Sequence, residues 1–355
     1  LDREVLDRLV PDRAIRIQHR SGSLWIFNSV AIDRVGLAEH PRAEVSRDGW
    51  LTGRLYGGDD WLRGRIPREA LDLAGTGALL ARFGVTGVTD ATPMRRGEDA
   101  ELLWHAAVDG LLPQRLQLMT APEFTLPVGD PVLLGPVKIL LPEYELPCID
   151  DVVREIRHAH EEGRSVAIHC VTRASLLLAL ASWDEAGARV GDRVEHAAVV
   201  TPDAARRMAE LGLIAVTQPV FVADRGDQYM RDVDAEDASL LWPFRSLLDS
   251  GVSLAASSDA PHGDCDPWRG MVAAASRRTR SGRFLGADER VEPTRALSRY
   301  LAPLEDPGGA PRAIVSGAPA DLVLLDLPLR SAMEAPSAEH VRMTIIAGKV
   351  AWTRC

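Results

Sequence analysis

Cysteine is scarce in this chain. Its four cysteines, Cys148, Cys170, Cys265 and Cys355, form no Cys-x-x-Cys pair, which excludes a thiolate zinc module and a disulfide framework as the organising device. A reducing, cytoplasmic setting is the expectation. Long apolar runs are absent as well. The longest candidate, Leu176 to Ala181, falls far short of the roughly 20 residues that span a bilayer, so no membrane partner is expected. Basic residues do not dominate, and a formal net charge of -10 argues against nucleic acid, which rewards clustered cations. A small-molecule substrate is the expected partner, with assembly into a homo-oligomer left open. The chain opens on Leu1, without an initiator methionine or the basic and apolar regions of a signal peptide. What is present is the composition of an ordinary globule, 46% hydrophobic and 26% charged, long enough for one large domain with a smaller appendage.

From Ala78 onward strand and helix patterns alternate, the signature of a parallel α/β sheet. A helix to Arg82 is followed by the strand Val85 to Asp90, a helix from Leu102 to Val108 and the strand Arg115 to Thr120. The strand Gly135 to Leu141 then holds a single lysine. Next come a helix from Asp150 to Glu162, the strand Val166 to His169, a helix from Leu176 to Ala186 and the strand Arg193 to His196. Thr201 caps a helix from Pro202 to Leu211, and the strand Leu213 to Val220, a helix from Leu240 to Asp249 and the strand Leu254 to Asp259 complete the series. Seven strands are countable, one short of an eight-stranded barrel. Residues 1–77 lack this rhythm and read as an insertion or lid, with a helix from Asp2 to Val10 and irregular chain marked by Gly49, Gly53, Gly57 and Gly58. Residues 78–302 form the barrel. Beyond a helix from Pro293 to Leu301, residues 303–355 turn to short strands, Ala320 to Leu327, Met343 to Ala347 and Val350 to Trp352.

Three strands end on a metal-binding side chain, His169, His196 and Asp259, and a fourth carries Lys138. A barrel builds its site at such strand tips, so these four are the candidate metal ligands. Each has a structural alternative. Lys138 could be an edge residue whose stem lies on apolar surface, but a buried lysine is costly unless paired and has a lowered pKa. A solitary His169 would more often be structural, yet His196 stands at the matching place one unit later, and two neutral imidazoles can share an ion. Asp259 could cap the next helix; as a carboxylate at the open end of a barrel it can also bind metal and take a proton from an activated water. Glu195, one residue out of phase with His196, should point away from the cluster. His158 and His160 sit two apart on a helix, about 200° from each other, and cannot clamp one ion. Asp266, Pro267 and Trp268 read as a structural turn.

These residues carry a resemblance to the amidohydrolase superfamily, in its amidohydrolase family 3 branch. It extends through Ser21-Gly22, Trp25 and Asn28-Ser29, through Gly84-Val85-Thr86-Gly87-Val88-Thr89-Asp90, and through the lysine strand, His169 and Glu195-His196-Ala197. It continues through Ser258-Asp259-Ala260-Pro261, Asp266-Pro267-Trp268, Ala320-Asp321-Leu322-Val323 and Gly348-Lys349. The resemblance implies a (β/α)8 TIM-type barrel joined to a small β-sandwich, a carboxylated Lys138 bridging metals, and one or two divalent ions, zinc first among them. The chain departs from the pattern in three places. The His-x-His strand that opens the family's barrel is not evident, Ser21-Gly22-Ser23 stands where the family has Ser-Gly-His, and no Asp-Gly follows the strand lysine. A strand ending in His-x-His is therefore expected upstream of Leu1.

The function expected is metal-dependent hydrolysis of a carbon–nitrogen bond in an amide, formamide or cyclic amide, with Asp259 as catalytic proton carrier. A mononuclear deaminase is disfavoured by Lys138 and by Val171-Thr172-Arg173-Ala174, where a glutamate would be expected after the His169 strand. A non-catalytic binding or scaffolding barrel is the third reading, since fold alone does not decide function.

Overall fold

The structure, a computed structural model, describes residues 1–19, 22–67, 71–94, 97–124, 129 and 131–354. Ser21 and Cys355, named above, lie outside them. The chain divides into two compact units, Leu1–Leu71 and Asp72–Cys355.

In the first unit, Asp2 caps a helix, Arg3–Leu9, by accepting from the Val5 amide. Four strands follow, β1 (Arg16–Gln18), β2 (Leu24–Phe27), β3 (Ala43–Val45) and β4 (Leu51–Tyr56), in an antiparallel sheet of order β1-β2-β4-β3. Phe27, Ile32, Val35, Leu37, Leu55 and Leu62 form its own core. The glycine-marked stretch expected to be irregular is here a strand. β4 runs through Gly53 at φ 81°, where a Cβ would stand 2.3 Å from the Phe27 carbonyl oxygen, so close strand approach requires the glycine.

The second unit is built on parallel strands, β5 (Gly87–Met94), β6 (Arg115–Thr120), β7 (Val132–Leu134), β8 (Val137–Ile139), β9 (Val166–Cys170), β10 (Arg193–His196), β11 (Ile214–Thr217) and β12 (Ser253–Ala256). They pair as β5-β6-β7 and β8-β9-β10-β11-β12. β7 and β8 are one stretch of chain bent at Gly135-Pro136. β7 pairs with β6 and β8 with β9, and Pro136, without an N–H, cannot continue either ladder. Counted so, the expected seven strands are present. Among the described residues no strand joins β5 to β12, and the array is not a closed barrel. The segment 304–312 instead runs under its N-terminal ends. A Cβ at Gly87 would meet Leu304 at 3.3 Å and one at Gly308 would meet Ile214 at 2.8 Å and Ser253 at 2.9 Å. Glu305 lies 3.7 Å from Arg115, and Arg312 donates to the Thr86 hydroxyl at 3.2 Å.

Helices cover one face of the five-stranded sheet. Val137, Ile139, Val166, Ile168, Cys170, Val194, Ala215 and Leu254 meet Val152, Ile156, Leu180, Trp183, Met208 and Met271 in one continuous core. Thr201 caps Pro202–Glu210 as expected, and Thr172 with Ser175 forms a capping box on Arg173–Ala186. Two expectations need correction. The β11 strand stops at Thr217, and Pro219 opens a helix, Val220–Asp232, that the strand reading had absorbed. The helix expected from Leu240 begins only at Arg245, because Trp242 precedes Pro243, which disfavours helical backbone, and sits at φ 51°. Residues beyond 320 form one antiparallel sheet of β13 (Leu322–Leu325), β14 (Val341–Ile346) and β15 (Lys349–Thr353), tied to the helix Leu73–Arg82 by the Thr344 hydroxyl, which donates to the Ala81 carbonyl at 2.7 Å.

Candidate active site

Strand register decides which side chains meet. Residues paired across parallel strands point the same way, and alternate residues share a face. Lys138 pairs with Ala167, Ala167 and His169 with Arg193 and Glu195, and these in turn with Ile214 and Val216. Lys138, His169, Arg193 and Glu195 therefore share the face opposite the helices. The expectation that Glu195 turns away is corrected, because Glu195 keeps the pleat and His196 leaves it. His196 has φ 73° and Ala197 φ 48°, a left-handed pair that redirects a side chain otherwise paired with Cys170 on the helix side. Its ring packs edge-on against His169, centroids 4.5 Å apart at 75°.

Asp259 also has a left-handed backbone, φ 53°, and its carbonyl accepts from the amides of His262 and Gly263 at 2.8 and 3.1 Å. It does not cap the next helix. That role belongs to Asp266, which accepts from the Trp268 amide at 2.8 Å at the start of Pro267–Ser276. Two of the four candidate ligands thus occupy a conformation uncommon outside glycine, the kind of strain that clusters at functional sites.

The electrostatics are those of a desolvated cluster. Burial, with the neighbouring His196 and Lys138, pushes His169 down to about 2. Burial and then Lys138 push His196 down to about 3, against the bond from Gln218. Both rings are neutral at physiological pH. Burial also lowers the pKa of Lys138, a lowering that Arg193 reinforces and that Glu195 and Asp259 oppose. Asp259 moves the other way. Burial raises its carboxyl, with His262 and Lys138 opposing. Among 41 lysines and arginines only Lys138 and Lys349 are lysine, so the cluster holds a lysine in a chain that otherwise uses arginine.

Arg193, Glu195 and Gln218 were not read from the sequence as participants, whereas His262, beside Asp259, was read as a loop histidine more often on the surface than assisting. Glu195 and Arg193 form a buried ion pair, Nε to Oε1 at 2.7 Å, whose alignment falls short of a hydrogen bond. Gln218, 1% exposed, bonds His196 Nδ1 at 2.8 Å. A signal for it existed, since Ile214-Ala215-Val216-Thr217-Gln218 is an apolar strand closed by a polar residue, like the histidine strands. Exposed His262 stands near enough to bear electrostatically on His169, His196 and Asp259. The other candidates are structural. His158 and His160 both lie on Ile149–Glu161; the first contacts Glu123 at 2.9 Å and the second is buried against Asp192 at 3.1 Å. Cys170 faces the helix core, and burial drives its thiol up. Among the described residues no three His, Cys, Asp or Glu side chains stand close enough to hold an ion. The cluster offers two imidazole nitrogens, with Lys138 and Asp259 beside them.

Comparison with known proteins finds similarity over most of the chain. An N-substituted formamide deformylase of Arthrobacter pascens is 27% identical over 90% of this chain and 70% of its own length. Two uncharacterized metal-dependent hydrolases share the fold. That of Pyrococcus horikoshii OT3 has a TM-score of 0.65 at 20% identity, over 84% of this chain and 68% of that one. That of Pyrococcus furiosus has 0.62 at 23%, with the same coverage. The sequence profile of the amidohydrolase family matches residues 2–351, nearly the whole chain and every strand that carries the cluster, and on that extent the chain belongs to the amidohydrolase family.

Proposed function

We propose that this chain is a metal-dependent hydrolase of a carbon–nitrogen bond in an amide, formamide or cyclic amide, with a divalent metal, zinc, held by Lys138, His169, His196 and Asp259. The observation that carries the reading is the contact of two neutral imidazoles at adjacent strand tips, 4.5 Å between ring centroids. The formamide class is supported by the name of the Arthrobacter relative.

The imidazole pair suits such an ion. Neutral imidazoles are ligands and imidazolium is not, and burial keeps both rings neutral. A divalent ion there supplies Lewis acidity, polarising a carbonyl and making water a better nucleophile. The chain does the rest. Burial makes Asp259 a stronger base than an ordinary carboxylate, suited to take a proton from water and pass it to the leaving nitrogen. Lowering the Lys138 pKa increases the fraction with a free electron pair. Carbon dioxide adds to that nitrogen with loss of one proton, and the new carboxylate brings two oxygens to a cluster in which two imidazole rings are in contact. The small donor count among the described residues also favours a second reading, a binding barrel without turnover.

The test has three arms. Purified protein should take up zinc, show a lysine carbamate signal after labelling with 13C-bicarbonate that is lost in Lys138→Met, and hydrolyse members of an N-substituted formamide panel. Asp259→Asn should keep the fold, since asparagine tolerates the left-handed backbone, and lower kcat by about 100-fold or more. Zinc uptake without turnover of any amide, formamide or cyclic amide would leave the binding barrel in possession.

A further inference from the structure

We infer that Gln218 is the positioning residue of this site, accepting the Nδ1 proton of His196 and so fixing the tautomer in which Nε2 is the bare, metal-binding nitrogen. The inference rests on the reading of His196 as a ligand and goes beyond it, because it concerns which nitrogen binds and what determines the choice.

The amide of Gln218 has two ends, and its surroundings decide which faces which. Its nitrogen lies 3.1 Å from the Val216 carbonyl oxygen and 2.9 Å from the Ser257 hydroxyl oxygen. A carbonyl only accepts, so the end facing Val216 must be the NH2 group. The end facing His196 Nδ1 at 2.8 Å is then the oxygen, which also only accepts. Nδ1 must therefore carry the proton. A neutral imidazole has one proton in total, so Nε2 has none. Ligating histidines usually give their second N–H to such a partner, which sets tautomer and ring orientation together.

The same amide ties the strand tips together. Gln218 directly follows β11, bonds the last residue of β10, and donates to Ser257, two residues before Asp259. Ser257 is itself anchored by its amide to the Thr217 carbonyl at 2.9 Å. One buried side chain thus links the His196 tip to the chain that delivers Asp259. It also bears on backbone strain, for a left-handed His196 persists only if its surroundings hold it there.

The experiment compares wild type, Gln218→Met and Gln218→Glu. Methionine fills the space with neither donor nor acceptor at that position, whereas glutamate keeps an acceptor oxygen. Histidine tautomers are read in metal-free protein by long-range proton–nitrogen correlation, and zinc affinity by competition with a chelator. His196 should carry its proton on Nδ1 in wild type and in Gln218→Glu, and shift toward Nε2–H in Gln218→Met. Zinc affinity should fall about 10–100-fold in Gln218→Met and recover most of that loss in Gln218→Glu. An Nε2–H tautomer in wild type, or an unchanged Nδ1–H in folded Gln218→Met, would overturn the assignment. So would loss of the Nδ1–H form in Gln218→Glu, and this comparison with wild type still decides if the methionine variant does not fold. Failure of wild type to bind zinc sinks the metal reading instead, a result the tautomer spectra of metal-free protein keep distinct.

Discussion

His196 and Asp259 reach the cluster through backbone that few residues adopt, and His169 reaches it through an ordinary pleat. The consequence at this scale is electrostatic. The pKa values of the two histidines fall from the ordinary 6.5 to about 2 and about 3. Between roughly pH 3 and 6.5 the unfolded chain therefore binds protons that the folded chain refuses, and stability must rise with pH across that window. Asp259, with its raised pKa, acts in the opposite sense as pH rises above 3.8, whereas Lys138 has the histidines' sign, extending up to its unfolded value of 10.5. Two groups with strongly lowered pKa values outweigh the one raised carboxyl. Chelator-treated protein should have a higher urea midpoint at pH 7.5 than at pH 5, and the double variant His169→Asn/His196→Asn should flatten that difference. An equal slope in the double variant would show that other groups control the acid limb.

At the scale of the element, β10 carries the most conflict. Alternate residues of Arg193-Val194-Glu195-His196 should face alternate sides, so Arg193 and Glu195 are committed together to the interior and pair there, both almost fully buried. Buried pairs add little net stability, but half a pair is costly. Glu195→Leu, which strands the Arg193 guanidinium, should cost about 3–5 kcal/mol, and adding Arg193→Met should return most of it. Chemical denaturation of the two variants checks this, and an equally unstable double variant would contradict the pairing. The sequence made β10 legible as a strand with a histidine at its tip. It did not reveal that the last residue leaves the pleat, because φ at His196 depends on the packing of Ala197 and Gln218 around it, not on local propensity.

At the scale of the whole second unit, among the described residues, seven parallel strands stand with β5 and β12 unpaired to each other, β7 and β8 counted as one, and the 304–312 segment bridges their N-terminal ends. Its Pro307-Gly308-Gly309 turn brings backbone against β11 and β12 where no side chain fits. Gly308→Val should push the segment off, costing about 1–3 kcal/mol as overpacking does. Amide exchange should rise in β5 and β12 well before β9 and β10. A uniform rise across all strands would mean the segment is no special brace.

Most of the succession of strands and helices, though not the helix Val220–Asp232, was legible in the sequence, as were the seven-strand count and the four candidate ligands, because apolar periodicity and a polar residue at a strand tip are local properties of the chain. Which of those side chains meet was decided only by the tertiary structure. Lys138 and His169 are brought to one face by inter-strand register, which no local pattern records, and His196 by a left-handed turn that its neighbours impose. Gln218 follows its strand as an unremarked amide in the sequence; only the fold sets it beside His196 Nδ1, Val216 and Ser257, and a hydrogen bond across 22 positions of chain exists only when the strands that carry its ends lie side by side.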